Sequence, residues 1–401
     1  MTFALASFAA WLAVVAYVRV RRGKLFAIFA AIILGIQSLI ASAIATHSGV
    51  LFPLFAALHG LVFIHFGALA TARMRPLWYR AVVSMPGSFF SAGTFLALPW
   101  AIAAAFGTDL KLLWMPYVFA AFGLVDSFLG RRRPVHIVAG TRHADALKRA
   151  PKGGDREERP LRIAQITDPH LGPFMTVERL RGVCERIVAE SPDLVVLTGD
   201  FLTMESHNDT TLLARALAPL KALEGRTFAC LGNHDYEALD HVRNGLSSAG
   251  VKLLVDESAR VTTEAGEVEV VGFDFHFRDR ARKLNEAMAR IGEKTVFRLA
   301  LLHDPGAFRH LPGGSADLVL SGHTHGGQVG LLWLGLPHTM LSAFSSIPDH
   351  GLWSRGSDLL YVHRGTGHYG FPIRVGVPPE ESVLHVHRVA HDGAHGTKLL
   401  A

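Results

Sequence analysis

Eight polar residues with metal-binding or proton-transfer chemistry fall at one kind of place in this 401-residue chain. They are Asp168 and His170, Asp200, Asn233 and His234, His303, and His323 and His325. Each follows directly on a short apolar run, in "LRIAQITD", "DLVVLTGD", "TFACLGNHD", "FRLALLHD" or "ADLVLSGHTH". Taken singly the motifs say little: Asp-x-His suits a turn, Gly-Asp a helix cap, Asn-His-Asp a polar loop. Five in order, each closing an apolar run, form a pattern. Leaving out His234, they supply two carboxylates, one amide and four imidazoles, a set without sulfur that suits a pair of divalent ions such as manganese, iron or zinc.

The elements that must position them alternate. Apolar runs at 161–168, 193–200, 227–235, 268–276, 297–304, 316–325, 358–367 and 382–389 read as strands, and amphipathic segments near 176–190, 209–223, 237–249 and 280–291 read as helices. That alternation predicts an α/β fold. In such folds ligands gather beyond the carboxyl ends of the strands, where the eight residues lie.

The ordered set "D168-P-H170", "G199-D200", "G232-N-H-D235", "H303" and "G322-H-T-H325" resembles the calcineurin-like metallophosphoesterases, over about residues 160–389. "GHTHGGQ", "GNHDY" and "YVHRGTGHYGFPIR" look like the bacterial membrane-associated branch of that family. Pro169 stands where similar proteins commonly carry leucine, at a position that supplies no ligand. The resemblance implies a β-sandwich flanked by helices. It also implies that Asp168, His170, Asp200 and His325 hold one metal and Asp200, Asn233, His303 and His323 the other, with Asp200 bridging. The two histidines of "SGHTHGGQ" then belong to different metals, and the glycines around them serve tight turning and close substrate approach. Two such ions activate a water and clamp the phosphoryl oxygens during in-line attack. His234 becomes the group that stabilises the phosphoryl or protonates the leaving oxygen. Asp235 either orients His234 or caps the following helix. Tyr236 and His368 are read as structural, and so are His385 and His387, expected on one face of a strand.

Ahead of all this lies a different kind of chain. Residues 1–160 hold 17 Lys/Arg against 6 Asp/Glu, the remainder 23 against 28, so the basic balance belongs to the first part and argues no nucleic-acid surface. Five apolar stretches, at about 2–18, 25–46, 50–71, 82–106 and 112–130, approach the ~20 residues of a membrane span. The Lys/Arg counts after successive spans run 4, 0, 3, 1 and 3. By the positive-inside rule this predicts a multi-pass inner-membrane protein with an outside N-terminus and a cytoplasmic catalytic domain. Pro86 and Pro99 make the fourth span the weakest. His59, His65 and Asp126 within the spans are read as structural, the first two by hydrogen bonding between helices and Asp126 by lying at the interface near Arg131. The expected division is a membrane domain of about five helices (1–130), a basic juxtamembrane linker (131–160) with "VHIVA" as an edge strand, the hydrolase (161–389) and a frayed tail (390–401). Cys184 and Cys230 sit in no metal or redox spacing and are expected as buried small hydrophobes.

The expected activity is hydrolysis of a phosphate mono- or diester. The rivals are a nucleotide phosphodiesterase that happens to be tethered, and a transporter or receptor regulated by its C-terminal domain. After the metal loop, Leu331–Pro348 carries nine large apolar residues and no charge. It reads either as a loop packed over the sheet edge or as an apolar flap that dips into lipid or holds an acyl chain, with Phe174 and Met175 lining the same wall. The flap would make the substrate a phospholipid or lipid-linked phosphate ester.

Overall fold

The computed structural model describes residues 2–128, 131–139, 159–368, 374–391 and 397–399. Most of the expected linker, 140–158, and most of the expected tail lie outside them. The chain divides into two compact units: residues 2–128 with Met204–Asn208 and residues 374–375, and the remainder. The boundary near 130 is therefore crossed by two short later segments.

In the first unit three helices, Thr2–Arg21, Lys24–Ala45 and Gly49–Ala68, are long and apolar enough to cross a membrane. The fourth expected span is two helices, Leu77–Leu96 and Leu98–Ala105, bent by 54°. Pro99 opens the second of them, where its missing N–H costs nothing. The fifth, Met115–Phe128, has 14 residues, or ~21 Å of helix, against a bilayer core of ~30 Å. Of the five spans expected, the structure thus has three full ones, a broken one in place of the proline-interrupted fourth, and a short one. His59 is buried and pairs through Nε2 with the Ser7 hydroxyl at 2.8 Å, an inter-helix contact of the structural kind expected. Asp126 is also buried.

The second unit is a two-sheet sandwich. One sheet has the order β1-β12-β2-β3-β4-β5, with β13 on β12; the other has β10-β11-β9-β8-β7-β6. The strands are β1 Arg131–Ala139, β2 Leu161–Ile166, β3 Leu194–Thr198, β4 Thr227–Cys230, β5 Lys252–Leu253, β6 Glu257–Thr263, β7 Gly266–Gly272, β8 Phe297–Leu301, β9 Leu318–Ser321, β10 Gly351–Arg355, β11 Asp358–Val362, β12 Glu380–His391 and β13 Thr397–Leu399. Alternate residues of both sheets, Ile163, Val196 and Phe228 from one and Val268, Leu299 and Leu318 from the other, share one buried core. The opposite faces take helices: Leu284, Ala287 and Met288 pack on Val271, Ala300 and Val319 of the second sheet. The helix Val177–Glu190 starts at Thr176, whose hydroxyl accepts from the Arg179 N–H at 3.3 Å, and buries Leu180, Val183, Cys184 and Ile187. Both cysteines are buried and free.

Every strand expected from sequence is present. β5, β6, β10 and β13 were not anticipated, and β13 gives order to part of the tail. β1 does lie at a sheet edge, but it begins at Arg131 and so occupies the first nine residues of the expected linker.

A candidate dinuclear metal centre

Strands β2, β3 and β4 run parallel, as do β7, β8, β9 and β11, so each sheet presents its strand ends together. Asp168 and His170 follow β2, Asp200 follows β3, Asn233 and His234 follow β4, His303 follows β8, and His323 and His325 follow β9. Among the described residues ten non-glycine ones have positive φ, and five of them are Asp168, His170, Asp200, His323 and His325. Left-handed backbone is uncommon for such residues and costs of order 1–3 kcal/mol each.

Two clusters result. Asp168, His170 and His325 bring ligand atoms within 4.8 Å of one another, and so do Asp200, His303 and His323. His170 Nε2 lies 3.2 Å from His325 Nε2, and His325 Nε2 lies 3.4 Å from Asp168 Oδ1. One oxygen, Asp200 Oδ2, faces both groups, 3.8 Å from His170 Nε2 and 3.3 Å from His303 Nε2. Its other oxygen accepts the His234 N–H at 2.9 Å. Asn233 Oδ1 is buried with no hydrogen bond. His303 Nδ1 lies 2.5 Å from the Thr198 carbonyl, which puts a proton on Nδ1 and turns Nε2 toward the centre.

The electrostatics ask for positive charge. Burial disfavours the imidazolium of His303, yet the carboxylates of Asp200 and Asp168 outweigh it and hold its pKa up at about 10. Burial lowers His170 to about 3 and His323 to about 4, so both are neutral donors at pH 7. Burial raises Asp168 to about 6, and Asp200 beside it adds to the rise. For Asp200, burial is outweighed by His303 and His170, which hold its carboxylate below the usual range. Converging carboxylates, neutral imidazoles and an unsatisfied amide oxygen fit a pair of divalent cations.

Asp235 has a different place from either expected. Its carboxylate is fully buried and accepts three main-chain N–H groups, from Asp200 at 2.9 Å, Phe201 at 2.8 Å and Gly232 at 2.7 Å. It makes no cap on the following turn. A carboxylate among three inward-pointing amides is held by them, so it acts on the loops that carry Asp200 and Asn233. The partner that orients His234 is Glu237, which sequence reasoning missed: Oε1 lies 2.9 Å from His234 Nδ1. Burial works against the charged His234 ring, but Glu237 and Asp200 together raise its pKa. A glutamate three residues on in a short helical turn was the available signal.

Tyr236 donates its hydroxyl to Asp274, and its ring meets Phe277 edge-on at 5.5 Å. His368 is buried against Phe174 with centroids 5.5 Å apart. Phe275, also unanticipated, lies 5.9 Å from His303 and 6.0 Å from His323, with the Arg280 guanidinium 5.5 Å from its ring centre. The glycines after His325 turn the loop, Gly326 at φ 62 and Gly327 at φ 71.

Residues 161–327 match the sequence model of the calcineurin-like phosphoesterases. The metallophosphoesterase YkoQ of Bacillus subtilis is 30% identical over 240 residues, 57% of this chain and 84% of that protein. Phosphodiesterase YaeI of Escherichia coli is 28% identical over 56% of this chain and 82% of its own. UDP-2,3-diacylglucosamine pyrophosphatase LpxG of Chlamydia trachomatis is 29% identical over 55% and 82%. Ordered motifs, sandwich fold and paired clusters agree with these likenesses: the chain belongs to the calcineurin-like phosphoesterase family and is a metal-dependent phosphoester hydrolase.

Proposed function

We propose that this chain is a membrane-anchored hydrolase that cleaves a phosphodiester or pyrophosphate bond in a lipid-linked substrate on the cytoplasmic side of the inner membrane. In this reading Asp168, His170 and His325 hold one ion, Asn233, His303 and His323 the other, and Asp200 both. A bound pair of manganese, iron or zinc ions would supply a lowered pKa to a water and positive charge to the phosphoryl oxygens. His234, fixed through Nδ1 by Glu237, presents Nε2 to the leaving oxygen as its proton donor. The Phe275 ring beside His303 and His323 walls one side of the reacting centre and excludes water.

The observation that carries the lipid assignment is the segment after the metal loop. It is not packed down: Phe344 is 87% exposed, Leu334 72% and Met340 54%, with Leu331, Trp333, Leu336 and Ile347 also exposed. It is nevertheless ordered, because Thr339 caps the helix Met340–Phe344 reciprocally with Ser342 and also bonds Asp349. Gly330 pairs with Thr339 and Leu331 N–H donates to the His338 carbonyl at 2.8 Å, which ties the flap's base to the metal loop. A built, uncharged, exposed apolar surface beside a phosphoester site suits an acyl chain. The named activities of the YaeI and LpxG relatives, a phosphodiesterase and a diacylated-sugar pyrophosphatase, support the same class.

Trp333→Ser with Leu334→Ser is expected to raise KM for a diacylated phosphodiester or pyrophosphate in mixed micelles by 10-fold or more, roughly the loss of one or two large apolar contacts. Hydrolysis of a small soluble nitrophenyl ester by the same variant is expected within about twofold of the parent. Equal losses on both substrates would remove the lipid assignment.

The orientation has its own check. A reporter fused after residue 140 is expected to behave as cytoplasmic and one near residue 48 as external, since the Lys/Arg split puts Arg131, Arg132 and Arg133 inside. If the bent pair Leu77–Ala105 enters and leaves on one side, the count of crossings changes by one and the reporter after 140 reads external.

A further inference from the structure

His385 and His387 were expected as ordinary strand side chains, and they do alternate along β12. Ile137, Leu384 and Val386 point into the sandwich core, so His136, His385 and His387 share the opposite face. The parallel register of β1 and β12 sets His136 directly across from His385. The His136 ring lies 5.0 Å from that of His385 and 5.6 Å from that of His387, tilted 37° and 24°. His136 Nδ1 and His387 Nε2 are 3.3 Å apart.

We propose that His136, His385 and His387 form a third metal site, separate from the dinuclear centre, for a divalent transition ion of the zinc, nickel or copper kind. Two imidazole nitrogens at ~2.0–2.1 Å from a tetrahedral zinc lie ~3.3–3.4 Å apart, the separation His136 and His387 already have. The His385 ring, tilted against that of His136 at 5.0 Å, does not yet converge with the other two, and it joins by a side-chain rotation. Three imidazoles with no carboxylate among them select zinc, nickel or copper over manganese or magnesium. Arg162, in register with His385, donates to the Glu190 carbonyl at 2.9 Å, and the Arg388 guanidinium lies over the Phe297 ring at 5.8 Å.

The position gives the site a use. β1 is the first strand after the membrane unit, and β12 joins it to the rest of its sheet. An ion bound to both strands fastens that edge on its outer face, opposite the core packing of Ile137 against Leu384 and Val386.

The test counts ions on the full-length protein in detergent, after equilibrium dialysis against zinc and elemental analysis. The parent is expected to hold three zinc ions per chain and His136→Ala/His387→Ala two, with unchanged hydrolysis of a soluble ester. Asp200→Asn should keep one zinc, and adding the two histidine changes should leave none; this arm separates the third site from the dinuclear reading. If the alanine pair does not fold, His136→Asn with His387→Gln replaces it at similar size. Equal zinc counts with and without the two histidines would overturn the proposal.

Discussion

Asp200→Asn is expected to abolish hydrolysis and strip both catalytic ions, while His234→Ala keeps both ions and loses rate. The two outcomes separate because the residues touch different things. Asp200 is 2% exposed and sets the same Oδ2 toward His170 and His303. Its other oxygen is taken by the His234 N–H and its own N–H by Asp235. Asparagine keeps the shape but removes the charge, and its NH2 must face either an imidazole or the His234 N–H. Neither arrangement leaves one anionic oxygen shared by the two clusters. His234 contributes to that loop through its main chain, which alanine retains. What alanine removes is the ring and its contact with Glu237, so an alkyl ester should slow by about 10²–10⁴. A nitrophenyl ester, whose leaving group needs no proton, should slow far less. Elemental analysis beside kinetics on both esters reads the difference. Parent rates on the alkyl ester would rule out His234 as proton donor, and two tightly held ions in the Asp200 variant would rule out the bridge.

The seven candidate ligands were legible because each ends a strand, and parallel strands deliver their ends to one edge. Side-chain type and strand period carry that information along the sequence. The backbone that aims them does not show in residue type: aspartate and histidine at φ 44–69 look like aspartate and histidine anywhere. Asp235 was singled out for its place beside His234, but its three partners lie on the chain at Asp200, Phe201 and Gly232, and two of those come from another strand end. Long-range pairing of this kind leaves no local period. The same holds for β6 and β10, whose half-buried residues lack a clean apolar run. In the membrane unit, hydropathy located the apolar stretches and Pro99 marked the weak point of the fourth, but the 54° angle of the bend leaves no mark in residue type. The flap was the opposite case: its composition fitted both a packed loop and an exposed surface, and exposure of Phe344 and Leu334 favours the second.

Gly322→Ala is the other change expected to have a very large effect, although glycine offers no ligand. A Cβ at this position would lie 2.1 Å from Asp168 Oδ2 and 2.1 Å from Thr167 Oγ1. Neither atom can yield easily. Asp168 and Thr167 are fully buried, the Thr167 hydroxyl donates to Asp168 Oδ2 at 2.6 Å, and the His323 N–H donates to both Asp168 oxygens at 3.0 and 2.9 Å. The sequence reading gave this glycine to turning and substrate approach; the structure gives it to the close passage of a candidate ligand under the loop. Overpacking of this kind costs about 1–3 kcal/mol of stability. The sandwich core lies elsewhere, so the domain should still fold. The displacement falls on Asp168 and on the loop carrying His323 and His325, so affinity at the Asp168–His170–His325 cluster should drop first. Activity should fall by at least ~10²-fold, as for a misplacement of ~1 Å at a reacting centre. Gly313→Ala is the matched control, because its Cβ would meet nothing within 4 Å and its φ is not positive. Circular dichroism melting, zinc counting and ester hydrolysis on the two variants would separate a local collision from a general intolerance of added bulk. A Gly322→Ala protein with parent ion content and rate would mean that Asp168 can be displaced without consequence, and Asp168 would then lose its place among the ligands.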